Sequence, residues 1–102
     1  MAELVRICSR ADLPAEGYAK ELNLGDRAVC LANIGGTISA VDNVCPHRGG
    51  PLGEGMIENG KLVCPWHAWE FDVTTGECIT VTNAKVAVYP LTFEGDDVLV
   101  QL

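Results

Sequence analysis

The chain has 102 residues, 48% of them hydrophobic, which is typical of a single domain with a small core. Its formal net charge of -7 argues against nucleic-acid binding, because nucleic-acid-binding proteins neutralise phosphates with basic side chains. No apolar run approaches the roughly 18 residues that cross a membrane, so neither nucleic acid nor a membrane is expected as a partner.

Short β-strands are predicted along most of the chain. The first covers residues 4–8 (LVRIC), and one helical turn follows in residues 9–17, where Pro14 and Gly17 keep it short. Two hairpins are marked by the turn dipeptides Gly35-Gly36 and Asn59-Gly60. These hairpins would join residues 28–34 to 37–41 and residues 56–58 to 61–63. Further strands are predicted over residues 69–73, 77–81, 86–93 and 98–102.

Residues 43–54 interrupt this pattern. They are rich in Gly and Pro, which suits a loop around a bound group, because Gly lets backbone N–H groups approach closely. We therefore expect one all-β domain over residues 1–102, a sandwich or partly closed barrel. Residues 43–82 would be an insertion on a base of residues 1–42 and 83–102. Since the insertion has few apolar side chains, the bound group is expected to replace a core there.

The five cysteines cannot all pair within one chain. The N-terminus, MAELVRICSR, lacks the basic start and long apolar stretch of a secretory signal, which favours the reducing cytoplasm. In that compartment, cysteine pairs indicate metal binding more often than disulfides. Cys8, Cys30 and Cys78 stand alone in apolar or β-branched surroundings and are interpreted as buried core thiols.

The other two cysteines each lie beside a histidine, and the chain has only two histidines. The pattern is Cys45-x-His47, then 16 residues, then Cys64-x-x-His67. Two thiolates and two imidazoles suit either zinc or an iron–sulfur cluster. The single residue between Cys45 and His47 is unusual for zinc, whose Cys/His sites typically place about two to four residues between paired ligands. A structural zinc-binding module is therefore the alternative interpretation.

The sequence resembles the Rieske-type [2Fe–2S] proteins. CPHRGG (45–50) and CPWHAWEFDVTTGEC (64–78) are similar to their two cluster-binding loops, and ADLPAEG (11–17) and YPLTFEGDDVLV (89–100) resemble segments of small Rieske ferredoxins. The resemblance implies the Rieske fold, with a cluster-binding subdomain inserted into an antiparallel β-sandwich base. It also implies one [2Fe–2S] cluster, with one iron bound by Cys45 and Cys64. His47 and His67 would bind the other iron through Nδ1.

The resemblance further implies a soluble, monomeric electron carrier of a bacterial aromatic-ring dioxygenase system. It would pass single electrons from an NAD(P)H-dependent ferredoxin reductase to a terminal ring-hydroxylating oxygenase. The chain is not expected to be an enzyme, because both histidines are cluster ligands and none remains for a mononuclear iron site. Partners would dock at the face that carries the histidines, with Arg48 at its tip and Glu54 and Glu58 on its flank. The Rieske-like small subunit of an assimilatory nitrite reductase is the alternative.

Two features depart from the Rieske proteins of respiratory chains. Gly50 and Trp66 stand where those proteins have two cysteines joined in a disulfide. Trp69 and Phe71 stand where those proteins have a Ser and a Tyr whose hydroxyls bond the cluster sulfur and a cysteine. Fewer hydrogen bonds to sulfur predict a reduction potential at the low end of the Rieske range.

Overall fold

The computed structural model describes residues 4–25, 27–46, 49–66, 68–81 and 83–101. These residues form two short 3-10 turns, at Arg10–Asp12 and Leu52–Glu54, and a set of β-strands. The strands are β1 (Leu4–Ser9), β2 (Ala19–Leu24), β3 (Arg27–Ile34), β4 (Thr37–Asp42), β5 (Met56–Glu58), β6 (Lys61–Val63), β7 (Glu70–Phe71), β8 (Val88–Tyr89), β9 (Leu91–Glu94) and β10 (Asp97–Gln101). None of the described segments is a helix that is long and apolar enough to span a membrane.

The strands form three sheets, which we call the base, middle and loop sheets. The base sheet has the order β1-β10-β9, the middle sheet β2-β3-β4-β8 and the loop sheet β5-β6-β7. Neighbouring strands run antiparallel in all three. The prediction of an all-β, antiparallel fold is confirmed.

The middle sheet separates two apolar cores. Because side chains alternate along a strand, neighbouring residues of β3 point to opposite faces. Val29 and Leu31 belong to a base core, which also contains Cys8, Ala40, Val98 and Val100. Cys30 and Ala32 belong to a site-side core, which also contains Val41, Cys45, Leu52, Leu62, Cys64, Phe71, Val73, Cys78 and Val86. Burial on both faces fixes the register of β3, since a one-residue slip would exchange the two faces.

Both predicted hairpins are confirmed. β3 turns into β4 through Gly35 and Gly36, whose φ angles are 63° and 90°. β5 turns into β6 through Asn59 and Gly60, whose φ angles are 50° and 75°. Positive φ at both central residues is typical of the type I′ turn, whose twist matches that of the paired strands. The second hairpin positions the site, because β6 leads directly into Cys64.

Other strand predictions differ from the structure. β2 was not predicted from the sequence. The predicted strand over residues 86–93 is split at Pro90, so that β8 pairs with β4 whereas β9 pairs with β10. The strand predicted over residues 77–81 is wrong, because Cys78 forms only an isolated bridge with Phe71 and residues 79–81 are bends.

The expectation that residues 43–82 lack a protein core is also wrong. Leu52, Leu62 and Phe71 from this region are fully buried and pack in the site-side core. Burial of such a side chain stabilises a fold by about 1.5–3 kcal/mol. The apolar residues of the region are few, but they converge on one face of the middle sheet and therefore form a core. The division into a base and an inserted subdomain stays a prediction.

Candidate metal centre

The first loop, residues 43–55, continues from β4 and is held by Asn43. The backbone N–H of Asn43 donates to the carbonyl O of Ala28 at 3.1 Å, and its carbonyl O accepts from the N–H of Leu52 at 2.8 Å. Its side-chain Oδ1 accepts from the N–H of Gly53 at 2.7 Å. Both ends of the first loop are therefore tied to the end of the middle sheet.

Cys45 lies in a turn within the first loop that is closed by backbone hydrogen bonds. Its N–H donates to the carbonyl O of Gly50 at 2.9 Å, and its carbonyl O accepts from the N–H of Gly49 at 2.8 Å. Gly49 has a φ of 77°, a conformation that residues with a side chain rarely adopt. Cys45 is 1% exposed and belongs to the site-side core. His47 and Arg48 lie outside the described residues.

The second loop, residues 64–69, connects β6 to β7. The N–H of Cys64 donates to the carbonyl O of Trp69 at 2.8 Å, which closes this loop as well. Cys64 is 2% exposed, and Trp69 packs against the site-side core. Trp66, in contrast, is 47% exposed. His67 lies outside the described residues.

The two loops meet at Gly50. A Cβ placed on Gly50 would lie 2.9 Å from the Sγ of Cys64 and 3.1 Å from the Trp66 ring. These distances are shorter than the optimal separation of non-bonded heavy atoms. The structure thus brings the loop that carries Cys45 against the thiol of Cys64.

This arrangement supplies the cysteine half of the predicted ligand set. Two buried thiols on touching loops suit the thiolate ligation that iron–sulfur clusters and zinc share. Among the described residues, no group of three or more Cys, His, Asp or Glu side chains could hold a metal ion. The two predicted histidine ligands are outside those residues. The donor chemistry present in the described part therefore fits the predicted cluster.

The other three cysteines are core thiols, as predicted. Cys8 is 5% exposed in the base core, while Cys30 and Cys78 are 0% and 9% exposed in the site-side core. Burial raises the pKa of the Cys30 thiol from its ordinary value of 9.0 to about 12, and burial also raises the pKa of Cys8. Cys8 and Cys30 therefore stay protonated at neutral pH, and a protonated thiol is a poor metal ligand.

Cys64 also lines an open pocket of about 470 Å³ beside the second loop. Its other lining residues are Glu54, Gly55, Met56, Glu58, Val63, Pro65 and Ala68. Two carboxylates and the 55% exposed Met56 therefore lie beside a predicted ligand. Glu54 and Glu58 were predicted on the flank of the docking face. Met56 was not, because one apolar residue in a short strand gives no sign of its exposure. A larger depression of about 630 Å³ is lined by Cys78 but by neither predicted ligand cysteine.

Comparison with known proteins identifies the family. Residues 3–90 match the model of the Rieske [2Fe-2S] domain. The chain belongs to the Rieske [2Fe-2S] domain family. The match covers both loops, the middle and loop sheets and β1 of the base sheet, and it confirms the family that the resemblance in the sequence had predicted.

Individual relatives are similar over almost the whole of this Rieske protein. The ferredoxin component of the alkene monooxygenase system from Xanthobacter autotrophicus (strain ATCC BAA-1158 / Py2) is 35% identical over 99 residues, which are 96% of this chain and 80% of that protein. The ferredoxin of carbazole 1,9a-dioxygenase from Nocardioides aromaticivorans IC177 has a TM-score of 0.83 at 25% identity, over 95% of each chain. An NADH-dependent nitrite reductase small subunit from Mycobacterium tuberculosis has a TM-score of 0.87 at 22% identity, over 100% of this chain and 96% of that one. This last likeness shows the fold alone.

Family membership decides between zinc and an iron–sulfur cluster, the two interpretations that the ligand pattern in the sequence left open. The Rieske protein carries one [2Fe–2S] cluster, and the structural zinc module is the wrong alternative. Its similar proteins include ferredoxin components, which transfer electrons within oxygenase systems. The protein is therefore an electron carrier rather than an enzyme, as predicted.

Proposed function

We propose that Cys45 and Cys64 bind one iron of the [2Fe–2S] cluster. His47 and His67 bind the other iron. The observation that carries this assignment is the contact at Gly50, which joins the loop of one buried cysteine to the thiol of the other. Each histidine follows its cysteine by two or three positions, so each loop contributes one ligand to each iron.

This ligand set determines the charge that the chain brings to the cluster. Two thiolates and two neutral imidazoles supply two negative charges, where four cysteines would supply four. An electron is added more easily to the less anionic centre, so mixed ligation raises the reduction potential. The cluster supplies a one-electron couple when bound. The chain tunes that couple through its ligands and keeps water away from Cys45 and Cys64, which are both buried.

The protein passes single electrons from an NAD(P)H-dependent ferredoxin reductase to a terminal ring-hydroxylating oxygenase. Support comes from its relatives, which are named as ferredoxins of an alkene monooxygenase system and of carbazole 1,9a-dioxygenase. Each name places a small ferredoxin within an oxygenase system. The assimilatory nitrite reductase alternative has only a shared fold in its favour, at 22% identity.

The partners dock on a surface around the two loops, which we call the docking surface. It consists of the exposed apolar residues Val44, Met56 and Trp66 with Glu54 and Glu58 beside them. An apolar centre with a polar rim is the usual anatomy of a protein interface. The matching partner surface would present apolar side chains flanked by Lys or Arg.

We propose a monomer in the cytoplasm. An electron carrier meets two partners in turn, so its docking surface must stay uncovered between encounters, and a dimer across that surface would prevent both. The five cysteines form no disulfide, which suits a reducing compartment. Sedimentation of the holoprotein would report the oligomeric state, and a stable dimer would contradict the proposal.

Iron and acid-labile sulfide analysis of purified variants tests the cysteine ligands. Cys45→Ala and Cys64→Ala should lose the cluster, because each removes a thiolate from one iron. Cys30→Ala is the matched control, since it removes a buried thiol from the same core. A full cluster in either ligand variant would overturn the assignment.

Electron delivery tests the role of the carrier. The holoprotein, reduced by a ferredoxin reductase, should be reoxidised by ring-hydroxylating oxygenases in the presence of their substrates. Reoxidation by none of a panel of such oxygenases, together with stable binding to a sirohaem nitrite reductase subunit, would favour the alternative.

A further inference from the structure

We infer that Gly50 and Trp66 form an interlock that positions Cys64 for the cluster and covers its sulfur. This inference rests on the proposed role of Cys64 as a ligand. It assigns a positioning role to Trp66, a residue that would otherwise belong only to the docking surface.

Position 50 requires glycine because a side chain would not fit there, and not because of its backbone conformation. Its φ lies outside the left-handed region, so the backbone there would accept other residues. Its neighbour Gly49 differs, with a φ of 77°. At position 50 the restriction is steric. A Cβ would lie 2.9 Å from the Sγ of Cys64 and 3.1 Å from both Cγ and Cδ2 of Trp66. A side chain at this position must displace either the sulfur or the indole ring.

The Trp66 ring lies beside Gly50, against the position that a side chain there would occupy. Gly50 is buried although it has no side chain, and Cys64 is 2% exposed. Trp66 is 47% exposed, so about half of its surface faces solvent while ring atoms lie against Gly50. The indole therefore lies between solvent and the contact of Gly50 with Cys64.

The interlock also connects the two cysteines. The carbonyl O of Gly50 accepts the 2.9 Å hydrogen bond from the N–H of Cys45, and a Cβ on the same residue would lie 2.9 Å from the Sγ of Cys64. A displacement of Gly50 would therefore change the spacing between the two thiols. With the ring seated on Gly50, that spacing is held without a covalent link between the loops.

Removal of the ring should change the electronic properties of the cluster as well as its retention. Water that reaches the Cys64 sulfur would stabilise the reduced centre, which is the more negative state, and the midpoint potential would rise. Groups that orient metal ligands typically contribute about 10- to 100-fold to metal affinity. A residue that served only general stability would change neither the potential nor the EPR spectrum.

The first test compares Trp66→Ala and Trp66→Phe as holoproteins. Voltammetry gives the midpoint potential, and the decay of visible absorbance in the presence of a chelator gives the rate of cluster loss. Trp66→Ala should show a more positive midpoint and about 10-fold faster loss, and Trp66→Phe should lie between it and the parent. Tyr18→Ala is the control, because Tyr18 is a 66% exposed aromatic residue outside both loops.

The second test inserts a methyl group at the contact. Gly50→Ala should shift the potential and accelerate cluster loss. In the double variant Gly50→Ala/Trp66→Ala, the combined effect on both quantities should be smaller than the sum of the two single effects, because the methyl group then has room. Gly36→Ala is the control: its φ of 90° makes the substitution strained, but nothing lies within 4 Å. It should lower the thermal midpoint without a change in the potential.

The outcomes separate this inference from the proposed ligands. A Trp66→Ala protein with the parent's potential and rate of cluster loss would overturn the interlock, as would additive effects in the double variant. Retention of the cluster by Cys64→Ala would overturn the ligand assignment instead. Where Gly50→Ala yields no folded protein, the Trp66 variants and the Tyr18 control decide the question on their own.

Discussion

The side-chain Oδ1 of Asn43 accepts a 2.7 Å hydrogen bond from the backbone N–H of Gly53, which ties the far end of the first loop to its start. Gly53 also packs against β2, since a Cβ there would lie 2.5 Å from the backbone N of Glu21. Asn43 itself is 4% exposed and is bonded to Ala28 of β3. The position of Cys45 is thus set by two strands of the middle sheet.

Asn43→Ala should loosen the first loop. It leaves the partly buried N–H of Gly53 without its acceptor, and since a fully buried unsatisfied donor costs about 1–3 kcal/mol, the cost here should be at the low end of that range. We expect a lower thermal unfolding midpoint and faster cluster loss than in the parent. Asn23→Ala, which removes an exposed amide from β2, is the matched control. Equal behaviour of the two variants would show that the bond does not hold the loop.

Replacement of His47 or His67 by Cys should lower the reduction potential. The change adds a thiolate in place of a neutral imidazole, so the oxidised centre becomes more anionic and accepts an electron less readily. Voltammetry on variants that retain the cluster measures the shift. An unchanged or higher midpoint would contradict the charge argument.

Electrostatic attraction should set the rate of encounter with the reductase. The net charge is -7, and the second-order rate of electron transfer should fall with ionic strength, because charges are screened over about 8 Å at physiological salt. Glu54→Gln and Glu58→Gln should each slow the reaction at low salt by about two- to fivefold. Arg48→Glu should also change the rate.

Glu94→Gln is the control for these variants, since it removes the same charge from an exposed position on β9 of the base sheet. A rate that does not depend on salt would exclude electrostatic steering. Equal effects of Glu54→Gln and Glu94→Gln would show that only net charge matters and that the pocket beside Cys64 is not part of the docking surface.

Cys30 should make the fold sensitive to alkaline pH. Burial raises the pKa of its thiol from 9.0 to about 12, so the folded protein keeps a proton that the unfolded chain releases above about pH 9. The contribution of the protonated Cys30 thiol to the free energy of unfolding is therefore complete below pH 9 and is lost as the pH rises towards 12.

The thermal midpoint of the parent holoprotein should thus fall more steeply between pH 9 and 11 than that of Cys30→Ala. By pH 11 the free energy of unfolding of the parent should have fallen by about 1–3 kcal/mol more than that of Cys30→Ala. Val41→Ala, which removes apolar volume from the same core without a titratable group, should follow the parent. Parallel curves for the parent and Cys30→Ala would contradict this prediction.

Local signals explain which elements could be predicted from the sequence. Gly35-Gly36 and Asn59-Gly60 occupy turn positions with positive φ, so each dipeptide alone indicates its hairpin. The family could be identified for a similar reason, because two short motifs carry the spacing of its ligands. The low potential predicted from Trp69 and Phe71 stays a prediction.

Features that depend on tertiary contacts could not be predicted. The chain changes sheets at Pro90: β8 before it pairs with β4 of the middle sheet, and β9 after it pairs with β10 of the base sheet. The local sequence around Pro90 does not show these pairings. The few apolar residues of the insertion looked too sparse for a core, yet Leu52 and Leu62 converge with Val41. The sequence also did not show the close approach of Gly50 to the Sγ of Cys64, although the resemblance placed Gly50 and Trp66 at two positions that a disulfide joins in respiratory Rieske proteins.

Pulsed EPR of the dithionite-reduced holoprotein, with natural-abundance and 15N-labelled histidine, would detect whether both histidines bind the cluster. We expect a [2Fe–2S] signal with hyperfine coupling to two imidazole nitrogens, both of which change with the label. One of the two couplings should disappear in His47→Cys and the other in His67→Cys. A signal without histidine couplings, or a protein that binds no iron, would contradict mixed ligation by Cys45, His47, Cys64 and His67.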